Sequence, residues 1–166
     1  MFDISFHNQQ SHLEVDEDRL RTAAERILSE SGITAATVSI AVVDDAEIHE
    51  LNRNYLAHDY PTDVLSFVLE SGPGELEGQI VVSAEMALAQ ADCFGWSAAN
   101  ELLLYVVHGM LHLVGHDDAS PEAAARMRAA EREFLQPFGV VPRYDEDVRG
   151  ATGSHLPNLA EGDSSQ

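Results

Sequence analysis

The sequence predicts a single α+β domain, with a small mixed β-sheet packed with helices around one central helix. Three observations carry this prediction. A chain of 166 residues with 45% hydrophobic content is long enough to bury one core. Short β-branched runs alternate with helical segments in the first half, and the second half reads as helix after helix. One late segment, Ala98 to about Val114, is apolar on nearly every side, and a helix without a polar face belongs in the middle of a fold.

Taken in order, Phe2 to Phe6 alternates apolar and polar residues and predicts a first strand. Asp16 to Ser29 places Leu20, Ala23, Ala24, Ile27 and Leu28 at helical spacing, with acids in its first turn and Gly32 just beyond its end. "TVSIAVVDD" predicts a strand over 37–43, and Asp44 or Asp45 caps a helix running to about Tyr55, ahead of the loop "AHDYPTD". "VLSFVLE" and "QIVVS" are two further strands joined by the turn-rich "SGPGELEG", which together suggest a hairpin. Ser83 caps a helix that ends at Gly95, and Ser97 caps the apolar helix that ends at Gly115. Ser120, Pro121 and Glu122 supply an N-cap, a first-turn proline and a first-turn acid for a last helix to about Leu135. The domain is expected to span 1–142, and the polar, glycine-rich 143–166 to form a disordered tail.

The net charge is −20 and all nine basic residues are arginines. Such a surface repels polyanions on average, which argues against non-specific coating of nucleic acid but leaves room for arginines that hold one phosphate. The N-terminus does not read as a signal peptide and no segment has the ~20 apolar residues of a membrane span, so a cytoplasmic protein with no membrane partner is expected. Cys93 has no cysteine partner for a disulfide or a zinc knuckle and is expected to be a small buried apolar residue.

The chemistry concentrates in "HGMLHLVGHDD", His108 to Asp118. His108 and His112 are separated by about 6 Å along a helix axis and ~40° around it, so both imidazoles can reach one cation. A chance His-x-x-x-His pair is common, and a buried histidine can simply bond a carbonyl. Two histidines on an otherwise apolar helix, however, cost desolvation unless they gain strong partners. Gly115 ends the helix and turns the chain back. In zinc sites of the His-x-x-x-His-x-x-Gly type the third ligand lies six residues after the second histidine, here Asp118. His116 continues the four-residue spacing, but three ligands on one straight helix would spread over ~12 Å, too far for one ion. The preferred set is therefore His108, His112 and Asp118, which makes the central helix a metal-binding one. His116 is left for proton transfer or substrate contact, and Asp117 reads as a solvated turn residue. Zinc peptidases of the His-Glu-x-x-His type use the glutamate as general base. Here that position is Gly109, which disfavours peptide hydrolysis.

With "LNRNYLAHDYPTDVLSF" at 51–67 and "GQIVVS" at 78–83, the histidine stretch resembles the YbeY family of bacterial metal-dependent endoribonucleases. The similarity runs from about residue 35 to 138. It implies an α+β fold with a zinc-binding helix beneath a cleft, hydrolysis of single-stranded RNA, and a role beside the ribosome in ribosomal RNA maturation and quality control. The chain departs from the family pattern in placing Asp118 where the third ligand is commonly histidine, His116 for a tyrosine, Leu56 for an arginine, His58 for a lysine-like residue and Gln79 for an aspartate. Arg53 lies three residues before Leu56 and shares its helical face, so Arg53 and His58 are the candidates for phosphate contact. Asp59, Thr62, Asp63 and Ser66 read first as turn and strand-start residues whose side chains bond backbone. Arg126, Arg128 and Arg132, interleaved with Glu122, Glu131 and Glu133, read as a solvated face of the last helix.

The expected function is cleavage of single-stranded RNA with one zinc ion, or another divalent metal such as nickel. His116, Arg53 and His58 would assist, and the expected partners are ribosomal RNA and the ribosome or its proteins, not DNA. The rival readings are a metal-stabilised, ribosome-associated binding protein with little catalysis, and a zinc hydrolase of another substrate.

Overall fold

The computed structural model describes residues 1–56, 64–117 and 119–142. Its elements run β1 (Phe2–Asn8), α1 (Glu17–Glu30), β2 (Ala35–Val43), α2 (Asp45–Leu56), β3 (Val64–Gly72), β4 (Glu75–Ser83), α3 (Ala84–Phe94), α4 (Ala98–Leu113) and α5 (Pro121–Leu135), closed by a short 3-10 turn at Gln136–Phe138. The strands form one mixed sheet in the order β1-β2-β4-β3. β1, β2 and β4 are parallel, and β3 pairs antiparallel with β4. The expected hairpin is therefore present, as the edge of a largely parallel sheet.

Strand alternation sorts the two faces of the sheet. Ile4, Val38, Ile40, Val42, Ile80 and Val82 point into the main core, which they share with α1, α3, α4 and α5. Ala41, Val43, Leu65 and Val81 point the other way and meet Ile48 of α2 in a smaller core. The sequence reading started β4 at Gln79, but it begins four residues earlier, at Glu75. "ELEG" has poor strand composition. It is extended because β2 pairs with it from Ala35↔Glu75 onward on one side and β3 pairs with it on the other. The turn that remains is short, with Gly74 at φ 72°.

Helix boundaries follow local chemistry closely. Asp16, Ser83, Ser97 and Ser120 each accept a backbone N–H in the first turn of the helix that follows. The Asp44 carboxylate accepts the Glu47 N–H and caps α2. Cys93 corrects an expectation: it is exposed. The buried stripe of α3 is Ala84, Ala87, Gln90 and Ala91, and position 93 falls off that stripe.

α4 lies at the centre, packed on α1, α3 and α5 and across β3 and β4. Two glycines bring it close to the sheet. A Cβ at Gly78 would lie 2.9 Å from the Leu113 side chain and 3.2 Å from the Phe67 carbonyl oxygen. A Cβ at Gly109 would lie 3.0 Å from Ile80 Cγ2 and 3.2 Å from the Ser66 hydroxyl. Position 109 therefore faces the sheet, and its lack of a side chain is a packing requirement. Among the described residues, no helix is long and apolar enough to cross a membrane.

This close approach is testable. Gly78→Ala is expected to destabilise the fold by about 1–3 kcal/mol through overpacking against Leu113. In urea unfolding of a double-mutant cycle, Gly78→Ala with Leu113→Ala should cost less than the sum of the single changes. Strict additivity would mean that α4 and β4 are not in the contact described.

Candidate metal centre

The site is built on α4. Ser97 Oγ accepts the Asn100 N–H at its start, and eleven of its sixteen residues are buried, so its position is fixed by packing on every side. Its end is a Schellman turn. The His116 N–H donates to the Leu111 carbonyl at 2.9 Å and the Gly115 N–H to the His112 carbonyl at 3.1 Å, with Gly115 at φ 110°. The helix thus stops between His112 and His116, and the third histidine leaves the α4 axis on a half-buried turn.

His108 and His112 remain together on the helix. Their Nε2 atoms are 3.1 Å apart, and the rings meet edge to face with centroids 4.6 Å apart at 74°. Two imidazoles bound to one tetrahedral zinc, at about 2.0–2.1 Å each, space their nitrogens by roughly 3.3 Å. The pair therefore fits a shared metal ion in donor type and in spacing. On its far side His108 is held by a second helix: Nδ1 lies 2.6 Å from Glu131 Oε2 of α5. The His108 side chain is 19% exposed and that of Glu131 only 4%.

Glu131 was not among the sequence candidates, and its expected place on a solvated face is corrected here. It is buried, whereas Arg126, Glu122, Arg132 and Glu133 are exposed. The signal was present in the pattern: Glu131 falls on the buried stripe formed by Ala123, Met127, Phe134 and Leu135. An acid on such a stripe requires a partner.

The other candidates are placed unequally. Asp118 and His58 lie outside the described residues, as do Asp59, Thr62 and Asp63. Arg53 lies on α2, in a stretch described by its backbone alone. Among the described residues no set of three His, Cys, Asp or Glu side chains is grouped as a metal site. Asp117 is exposed, and its carboxylate accepts the Ala119 N–H at 3.1 Å within the turn. The Ser66 hydroxyl donates to the Gly109 carbonyl at 3.3 Å and so ties β3 to α4.

One further network sets where α2 begins. Ser83 Oγ donates to Asp45 Oδ1 at 2.6 Å, and the Asp45 N–H donates to Glu85 at 2.8 Å. The starts of α2 and α3 are thereby joined at the same end of β2 and β4, which fixes the helix that carries Arg53.

With this geometry in place, comparison with known proteins is informative. The family model described as Endoribonuclease YbeY matches residues 5–139. A relative from Rhodopirellula baltica, Endoribonuclease YbeY, is 45% identical over 130 residues, covering 77% of this chain and 67% of its own. The protein of the same name from Moorella thermoacetica is 40% identical over 158 residues, covering 83% and 98%. Among solved structures, a Thermotoga maritima protein determined in solution matches with a TM-score of 0.55 at 27% identity, over 84% of this chain and 92% of that one. The family match takes in all five helices, with the histidine helix inside it, and the chain belongs to the YbeY family.

Proposed function

We propose that this protein is a metal-dependent endoribonuclease that hydrolyses single-stranded RNA, ribosomal RNA in particular, in the cytoplasm and in association with the ribosome or its proteins. Membership of a family whose relatives are named endoribonucleases supports the reaction class. The observation that carries the metal dependence is the convergence of the His108 and His112 Nε2 atoms at 3.1 Å. When bound, zinc, or another divalent ion such as nickel, supplies Lewis acidity that polarises a phosphodiester and activates water.

The chain's own residues divide the remaining work. His108 and His112 hold the ion, and Asp118, three residues after Gly115 in the sequence, is proposed to complete the set. Gly115 ends the helix, so the chain is free to turn back toward the two rings. His116, beyond the end of α4 and half-buried, is proposed to move a proton to or from the reacting phosphate. Arg53 and His58 are proposed to neutralise the phosphate, a role for which the guanidinium supplies paired N–H donors. The net charge of −20 gives such local cations extra weight, since the rest of the surface repels RNA. A basic ribosomal protein is accordingly a more favourable docking partner than bare RNA, and DNA is not an expected substrate.

The first test is single-turnover cleavage of a defined single-stranded RNA by zinc-loaded protein, alongside metal analysis of the protein as purified. His112→Ala and His108→Ala are expected to lose both bound metal and cleavage. Unchanged cleavage in either variant would rule out the reading. A second comparison separates the third ligand from the proton carrier. Asp118→Ala should lower metal content, whereas His116→Ala should keep the metal and slow cleavage by about 100-fold. The reverse pattern would make His116 the ligand.

A further inference from the structure

Among the described residues, Glu131 is one of two buried carboxylates that the proposed chemistry leaves unused, the other being Glu101. Glu131 lies on α5, 3% exposed, in a stripe whose other members are Ala123, Met127, Phe134 and Leu135. Packing alone would favour an apolar residue there, since a carboxylate loses its hydration on burial and must be compensated by a strong partner. One partner is His108 Nδ1 at 2.6 Å, short for an N–H···O bond.

This contact fixes more than ring position. Where the carboxylate accepts, Nδ1 carries the proton, and in a neutral imidazole the lone pair is then on Nε2. Nε2 is the atom that faces His112 Nε2 at 3.1 Å. Glu101, a buried carboxylate on α4 itself, makes a useful contrast. Glu101 accepts the Trp96 indole N–H at 2.7 Å, whereas His108, bonded to Glu131, has its opposite edge in the candidate metal centre.

We propose that Glu131 is a positioning residue for the metal centre: its carboxylate holds His108 as the Nδ1–H tautomer, with Nε2 presented toward the ion shared with His112. The proposal rests on reading the histidine pair as a metal site. It makes α5 part of the site, although no side chain of α5 need touch the metal. The helix that follows the proposed ligand Asp118 in sequence also sets the donor atom of the first ligand, so docking of α5 on α4 and readiness for metal are one event.

The test uses the full chain and zinc alone as the probe, with affinity read by competition against a chromogenic chelator. Glu131→Gln keeps an acceptor but loses the charge and is expected to weaken zinc by about 10-fold; Glu131→Leu loses both and should approach 100-fold. Nitrogen NMR of the metal-free protein should find the His108 proton on Nδ1 in the native chain and in Glu131→Gln, and a mixture of tautomers in Glu131→Leu. Thermal unfolding in chelator reads folding separately, since Glu131→Leu leaves the buried His108 Nδ1–H without its carboxylate and is expected to lower stability, whereas the zinc and tautomer readouts report on the site. Native affinity in Glu131→Leu, or a native His108 protonated on Nε2, overturns the proposal while leaving the histidine pair as the metal site. A native chain that binds no zinc overturns both.

Discussion

The close contact between α4 and the sheet is the constraint on which the rest of the molecule depends. α4 is apolar around most of its circumference, so it is stable only where sheet and helices enclose it together. The enclosure is tight because Gly78 and Gly109 remove side chains where Leu113 and Ile80 press across the interface. That approach lets the Ser66 hydroxyl of β3 reach a helix carbonyl, and it fixes the rotation of α4. With the rotation fixed, His108 meets Glu131 of α5 and His112 stands beside it.

Within this arrangement the same physical fact serves packing and chemistry. Desolvation is costly to polar groups that lack partners and strengthens those that have them. His108, mostly buried, gains Glu131 on one edge and faces His112 on the other. Gly109, its neighbour in sequence, faces Ile80. The absence of a glutamate at that position therefore has a structural cause as well as a chemical consequence, since a side chain there would be driven into the sheet. A nuclease site in which metal and phosphate-binding cations share the work does not need that glutamate.

Charge is distributed to match. The overall balance is strongly acidic, and Glu70, Glu75 and Glu77 are exposed on the β3–β4 hairpin. The polar contacts that organise the fold are local and directional. Helix caps, the join between Asp45, Ser83 and Glu85, and the His108–Glu131 pair each place one element against another. Surface pairs such as Arg26–Glu30 add little by comparison, because solvent screens them.

What the sequence determined by itself is what short-range chemistry controls. Serine caps and glycine stops placed the ends of α3 and α4, and four-residue spacing brought His108 and His112 together. The glycine after α4 separated His116 from them, because Gly115 tolerates a backbone that other residues rarely adopt. Three motifs in order also made the family legible. Tertiary structure alone decided which surfaces meet. β4 gained its first residues from pairing with β2 and β3 against their own propensity, and Cys93 fell outside the face that α3 buries. Glu131, 23 residues from His108, read as one more surface acid beside its arginines until the docking of α5 buried it. A helix's period tells which residues share a face. What that face will touch depends on packing across the whole chain, and it was that packing which gave the first histidine its partner.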